Sequence, residues 1–219
     1  MKAVIFDMDG VLVDSMPYHA EAWKQTFLTA GIRIDREDIY ELEGSNHRQI
    51  VEIIFRRSNR VPAEKDIQEL NSRKIEIFNR IEHSKPFDGI KELLASLKQK
   101  YKLAVVSGSN KKTVHDLINR FFPNTFDIII DGDESGEGKP SPAPYLKAIE
   151  RLGIPVEHCV VVENAPLGIR AAKRAGLRCI AIPTYLDREK LKEADVIAES
   201  HRELGRYLRA EEEREMGKS

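Results

Sequence analysis

A short β-prone run, Val4-Ile5-Phe6, stops abruptly at Asp7-Met8-Asp9-Gly10, where two carboxylates stand one residue apart before a glycine. Carboxylates are depleted from strands, so the strand has to end there and the chain has to turn. In open parallel sheets the carboxyl ends of the strands are where ligands bind. The chain therefore opens with a candidate catalytic strand end.

Further apolar runs repeat the pattern. Leu103–Val106, Asp127–Ile130, Cys159–Val162 and Cys179–Ile182 read as strands, and Asp195–Ala198 as a short edge strand. Helix-period stretches lie between them at 89–98, 111–121, 142–152 and 165–175, with a last helix expected over 201–209. Strands alternating with helices of this length predict an α/β fold, a parallel sheet covered on both faces. The first strand breaks the rhythm, because residues 16–84 hold helical patterns at 19–29, 48–56 and 63–81 and no convincing strand. We read 16–84 as a helical cap inserted into a core made of 1–15 and 85–219. Pro17 and the Lys85-Pro86-Phe87-Asp88-Gly89 junction are its two hinges. The tail from Glu211 reads as a solvated, fraying end.

Composition removes several function classes. The 219 residues carry 35 basic and 36 acidic side chains, a formal net charge of −1, so nucleic acid and anionic lipid are not expected as partners. No apolar run approaches the roughly 20 residues of a membrane span, and Asp7 and Asp9 interrupt the only apolar stretch that could serve as a signal peptide. A cytoplasmic monomer is the expectation. The six histidines show no paired ligand spacing, and Cys159 and Cys179 each begin an apolar strand, as buried reduced thiols do.

Each core strand ends in polar chemistry. Asp7 and Asp9 follow the first, Ser107-Gly108-Ser109-Asn110 the second, Asp131-Gly132-Asp133 and then Lys139-Pro140 the third, and Glu163-Asn164 the fourth. A parallel sheet brings these ends to one rim. Together they suit a Mg²⁺-phosphate site, since Mg²⁺ needs only a few protein oxygens beside water and phosphate. Asp7 and Asn164 can supply side-chain oxygens, Asp9 a backbone carbonyl, and Glu163 can orient a water. Ser107 with the amides of Gly108 and Ser109 can hold phosphate oxygens. Lys139 offsets the acids, so that Asp7 can attack phosphorus while Asp9 serves as acid and then base.

Asp-Met-Asp-Gly-Val-Leu-Val-Asp, Ser107 after Val105-Val106, Lys139 in Gly-Lys-Pro-Ser-Pro, and Glu163-Asn164 after a valine run resemble, in order, the four motifs of the haloacid dehalogenase superfamily. The resemblance covers nearly the whole chain and extends to the β-phosphoglucomutase-like subgroup through the helical insertion. It implies a Rossmann-like core with a small helical cap, an aspartyl-phosphate intermediate on Asp7, and Mg²⁺ as cofactor. Asp9 argues against the dehalogenase branch, which lacks this second acid. One departure stands out: the fourth motif commonly ends in two acids, and Asn164 brings an oxygen without the charge, which predicts weaker metal binding.

In the cap, His19 and Trp23 lie four apart on one helix face; Trp23 reads as packing. His19 resembles the subgroup's cap histidine, linked to closure and substrate positioning. The segment Glu43-Gly44-Ser45-Asn46-His47-Arg48 resembles its specificity loop, where the mutases use an arginine to grip a second phosphate. Here His47 takes that place with Arg48 beside it, and Lys74 falls where another phosphate-binding lysine is expected. These residues imply a Mg²⁺-dependent phosphatase of a small phosphorylated metabolite, a sugar phosphate. The alternatives are a hexose-phosphate mutase, a phosphonate hydrolase using Lys24 or Lys74 as Schiff base, and a non-catalytic phosphometabolite sensor.

Overall fold

The computed structural model describes residues 1–134 and 136–216, and the side chains of the last helix as far as Leu208. Six parallel strands form one sheet: β1 (Ala3–Phe6), β2 (Lys102–Val106), β3 (Ile128–Ile130), β4 (Cys159–Glu163), β5 (Arg178–Ala181) and β6 (Val196–Ile197). Their order is β3-β2-β1-β4-β5-β6, so the direction of winding reverses between β1 and β4. Such a reversal opens a crevice beyond the strand ends. The two strands flanking it are the ones that end in Asp7 and in Glu163-Asn164, and Phe6 lies opposite Val162 across it. This is the expected α/β, Rossmann-like architecture, and all five main strands fall within a residue or so of their predicted bounds.

Alternation along β1 sorts the core into two layers, because successive side chains leave opposite faces of a strand. Val4 and Phe6 pack with Ile90, Leu94, Val114 and Leu117. Those residues come from α5 (Ile90–Lys98) and α6 (Lys111–Phe121), and Leu204 joins them from α9 (His201–Met216). Ala3 and Ile5 face the other way, against Tyr145 and Ala148 of α7 (Ala143–Leu152) and Ile169 of α8 (Pro166–Arg174). Cys159 and Cys179 are free and buried in that second layer, as their settings predict. The last helix runs past Arg209 to Met216; residues 217–219 of the tail lie outside the described residues.

Between β1 and α5 come α1 (Met16–Thr29), α2 (Arg36–Glu41), α3 (His47–Arg57) and α4 (Glu64–Ile81). They enclose an apolar cluster of their own, centred on Trp23, Phe27, Ile39, Ile54 and Phe55. Helix α3 starts where Asn46 accepts from the Gln49 amide at 2.9 Å while Gln49 Oε1 accepts from the Asn46 amide at 3.0 Å, a reciprocal cap. Helix α2 escaped the sequence reading because six residues are too few for a helical period to stand out. Its start is nonetheless written in the Asp35…Asp38 cap, with the Asp35 amide 2.8 Å from Asp38 Oδ2. The two connections to the core run side by side, with Asp14 N donating to Lys85 O at 2.9 Å and Phe87 N to Leu12 O at 3.2 Å. Among the described residues no helix is long and apolar enough to cross a membrane.

Phe27 is fully buried in the insertion's cluster. Phe27→Ala is expected to cost about 3–5 kcal/mol of unfolding free energy, measured by denaturant titration.

Candidate active site

The turn after β1 is tightly wound. Met8 O accepts from the amides of Leu12 and Val13 at 2.9 and 3.1 Å, and Gly10 N donates to Val13 O at 2.8 Å. Gly10 has φ +84°, and a Cβ there would lie 2.1 Å from Asn164 Nδ2 and 2.9 Å from Glu43 Oε1. Only glycine lets the turn press this closely on β4 and the insertion. The result turns Asp7 and Asp9, 2% and 6% exposed, into one buried crevice.

Lys139 anchors that crevice. Its ammonium donates to Asp7 Oδ1 and Glu163 Oε1, each at 2.6 Å, and to Val106 O at 3.1 Å. Burial pushes an ammonium toward neutrality, but the two carboxylates outweigh it and hold Lys139 well above its ordinary value. Glu163 also accepts from Tyr145 Oη at 2.6 Å and, on Oε2, from the amides of Asn164 and Ala165 at 3.0 and 3.4 Å. Both its oxygens are thus engaged by the protein. Glu163 thereby fixes Lys139 against Asp7. Tyr145 was missed because a tyrosine on a helical face reads as core.

Asp9 is held by four donors. Oδ1 accepts from Ser15 Oγ at 2.5 Å and His19 Nε2 at 3.1 Å; Oδ2 accepts from Ser107 Oγ at 3.1 Å and Ser109 Oγ at 2.9 Å. Burial raises its pKa, but His19 and the serine hydroxyls prevail and keep the carboxyl well below the usual range. Ser107 and Ser109, expected as phosphate ligands, here orient Asp9, and the Ser109 amide donates to Ser107 Oγ at 3.1 Å. Gly108 between them allows close approach of the insertion, since a Cβ there would sit 2.6 Å from Gly44 O.

Behind Asp9 runs a buried chain of nitrogen groups. His19 Nδ1 lies 2.8 Å from Lys74 Nζ, which in turn lies 3.3 Å from His47 Nε2. Lysine can only donate, so Nδ1 of His19 is the acceptor and its Nε2–H points to Asp9, the neutral tautomer. Burial and the Lys74 charge lower the His19 pKa, which agrees with this assignment. Burial and the same lysine lower His47 further. Lys74 is fully buried, over the rings of Phe78 and Trp23 at 4.7 and 5.7 Å. The structure therefore gathers His19, His47 and Lys74. It does not gather Arg48, whose guanidinium pairs with Glu64 and, at 3.6 Å, with Glu52, with 48% of the side chain exposed. Two nearby carboxylates on the surface hold it there.

Glu43 is the main residue that sequence reasoning left without a role. It is 6% exposed, and its Oε2 accepts from Asn164 Nδ2 at 3.0 Å. Burial and the charge of Asp7 push its pKa well up. The signal was available in Asn164, which removes an acid from the fourth motif and so invites one from elsewhere. Asp7 Oδ2, Glu43 Oε1 and Asn164 Oδ1 are buried acceptors without a protein hydrogen-bond partner. Orphaned buried acceptors are rare and call for an ion or a water. Among the described residues no group of three His, Cys, Asp or Glu forms a ready-made metal cage. Here two carboxylates and one amide supply the oxygens, the donor type that a hard divalent cation prefers. The cavity that Asp7 and Glu43 line with His19, His47 and Lys74 has about 30 Å³ free, about one water's share of the liquid.

Residues 1–176 match the model of the haloacid dehalogenase-like hydrolases. The chain belongs to that family. It is an enzyme of the haloacid dehalogenase-like type, and its relatives include phosphatases and phosphomutases. It is 33% identical over 217 residues to protein CbbY of Cereibacter sphaeroides, spanning 94% of each chain. It is 31% identical over 204 residues to the phosphorylated carbohydrates phosphatase of Thermotoga maritima, spanning 90% of this chain and 93% of that one. Its fold superposes on the crystal structure of β-phosphoglucomutase from Clostridium difficile with a TM-score of 0.87 at 25% identity, over 99% of each.

Burial pulls Lys74 down to about 7. An unfolded lysine keeps its proton to about pH 10.4, so the unfolded chain binds the extra proton between about pH 7 and 10. Stability therefore rises with pH across that window and is lost as pH falls through it. Urea unfolding over the same range should find wild type gaining on Lys74→Met by up to about 1.4 kcal/mol per pH unit.

Proposed function

We propose that the chain is a Mg²⁺-dependent phosphatase of a small phosphorylated metabolite, a sugar phosphate, with 16–84 acting as a mobile cap. The observation that carries this reading is the pair of buried aspartates with unlike surroundings. Asp7 has one oxygen on Lys139 and one without a partner, whereas Asp9 has both oxygens held and a nitrogen chain behind it. Groups whose environments set them apart in this way are suited to different steps.

The cation fits the site on charge as well as on donors. Of the four buried acids Asp7, Asp9, Glu43 and Glu163, Lys139 pairs with Asp7 and Glu163, and Lys74 reaches Asp9 only through His19. Asp7, Asn164 and Glu43 would hold Mg²⁺, which when bound neutralises the acids and the phosphoryl oxygens. Asp7 then forms a bond to phosphorus as the bond to the leaving oxygen breaks, and Asp9 delivers a proton to that oxygen. Asp9 is ionised at rest, so the proton must reach it first. Lys74 can pass one to His19 Nδ1 while His19 Nε2 passes its own to Asp9, a relay along contacts of 2.8 and 3.1 Å. Asp9 next takes a proton from the water that cleaves the aspartyl-phosphate. Ser107 with the amides of Gly108 and Ser109 would take the oxygens of the transferring group once substrate enters. A sugar phosphate does not fit into 30 Å³, so the cap has to open for substrate and close for chemistry.

A mutase is the second reading, favoured by the likeness to β-phosphoglucomutase. A mutase must hold a second phosphate in the cap, and there Lys74 is the cation that faces the cavity while Arg48 is tied to Glu64. The phosphatase reading is therefore preferred. A panel of sugar phosphates with Mg²⁺, including β-glucose 1-phosphate with a trace of its 1,6-bisphosphate, separates the two when inorganic phosphate and isomers are followed together. Phosphate release is expected; isomerisation without it would overturn the reading. Asp7→Asn is expected to lower turnover roughly a thousandfold or more, and so is chelation of divalent cations.

A further inference from the structure

We propose that Glu43 is a metal ligand supplied by the cap, so that the divalent-cation site is complete only when the cap is closed. The proposal rests on the phosphotransfer reading for the identity of the ion and on separate observations for the residue. At the crevice three buried oxygens lack protein partners, one from each side of it and one from the insertion: Asp7 Oδ2 after β1, Asn164 Oδ1 after β4, and Glu43 Oε1 after α2. Asn164 Nδ2 binds Glu43 Oε2 at 3.0 Å, which leaves the amide oxygen and the second carboxylate oxygen available together. The carboxylate absent from Asn164 thus reappears one residue contact away, on a different segment of the chain.

The placement of Glu43 is built from several sides. Lys190, from the core, reaches Glu37 and Glu41 of α2 at 2.7 Å each, and Tyr185 stacks on Tyr40 with centroids 5.0 Å apart. Tyr185 Oη also donates to Asp14 Oδ1 at 2.5 Å, which joins this latch to the hinge. Beyond Glu43, Lys139 N donates to Gly44 O at 3.2 Å. A carboxylate held this firmly beside Asp7 is costly without a cation, and its pKa is driven up accordingly. By linkage, an ion that contacts both halves binds the closed form better and favours closure by the same factor.

Two direct readouts test this without turnover: Mg²⁺ affinity by calorimetry, and the radius of gyration by X-ray scattering with and without Mg²⁺. Wild type is expected to bind Mg²⁺ and become more compact. Glu43→Gln keeps the shape and the Asn164 contact, and is expected to bind at least tenfold more weakly with no compaction. The double variant Glu43→Gln, Asn164→Asp returns the charge to the core; it should recover affinity while compaction stays uncoupled from the ion. Equal affinity and equal compaction in wild type and Glu43→Gln would overturn the proposal and leave the phosphotransfer reading standing. Failure of wild type to bind Mg²⁺ at all would remove both.

Discussion

One ammonium group organises the site. Lys139, 1% exposed, stands between Asp7 and Glu163 at 2.6 Å from each, and neither carboxylate could be buried there without it. A buried ion pair adds little to net stability, but breaking one from either side is costly. The surrounding sequence reflects that. Gly168 has no room for a Cβ, which would lie 1.8 Å from Glu163 Oε1, and Tyr145 gives up its hydroxyl to the same oxygen. Helices α7 and α8 are thereby tied to the chemistry as well as to the sheet.

Around this pair the molecule separates two kinds of acid. Asp7 keeps an open oxygen in a site that is short of positive charge, which suits a nucleophile that awaits a cation. Asp9 is saturated with donors from the turn, the insertion and β2's end, which suits a group that exchanges protons along a fixed path. Its neighbours Ser15 and His19 belong to the hinge and the first inserted helix. The setting of Asp9 is consequently built jointly by core and insertion.

Much of this was legible in the chain. The strands announced themselves as short apolar runs, and the polar residue after each one marked the rim of the crevice. Asp7, Asp9, Ser107, Lys139 and Glu163-Asn164 meet because parallel strands leave them no other place. What could not be read was pairing across the gap between insertion and core. The partners of Glu163 (Tyr145 and two amides) and those of Arg48 (Glu52 and Glu64) are set by the fold and not by spacing along the chain. Such competition among partners has no sequence period. Glu43 is the same case in reverse, an acid in an unremarkable loop that gains meaning only from the amide it meets 121 positions away.

Part of the seam between insertion and core is close main-chain contact. Gly108 admits Gly44 O so closely that a methyl group there would be 2.6 Å from it, and a methyl on Gly44 would strike Lys139 Cδ at the same distance. At these two points the surfaces meet without a side chain's thickness between them, while Lys190 and Tyr185 latch the seam elsewhere. A single added carbon at either glycine acts as a shim that holds the faces apart.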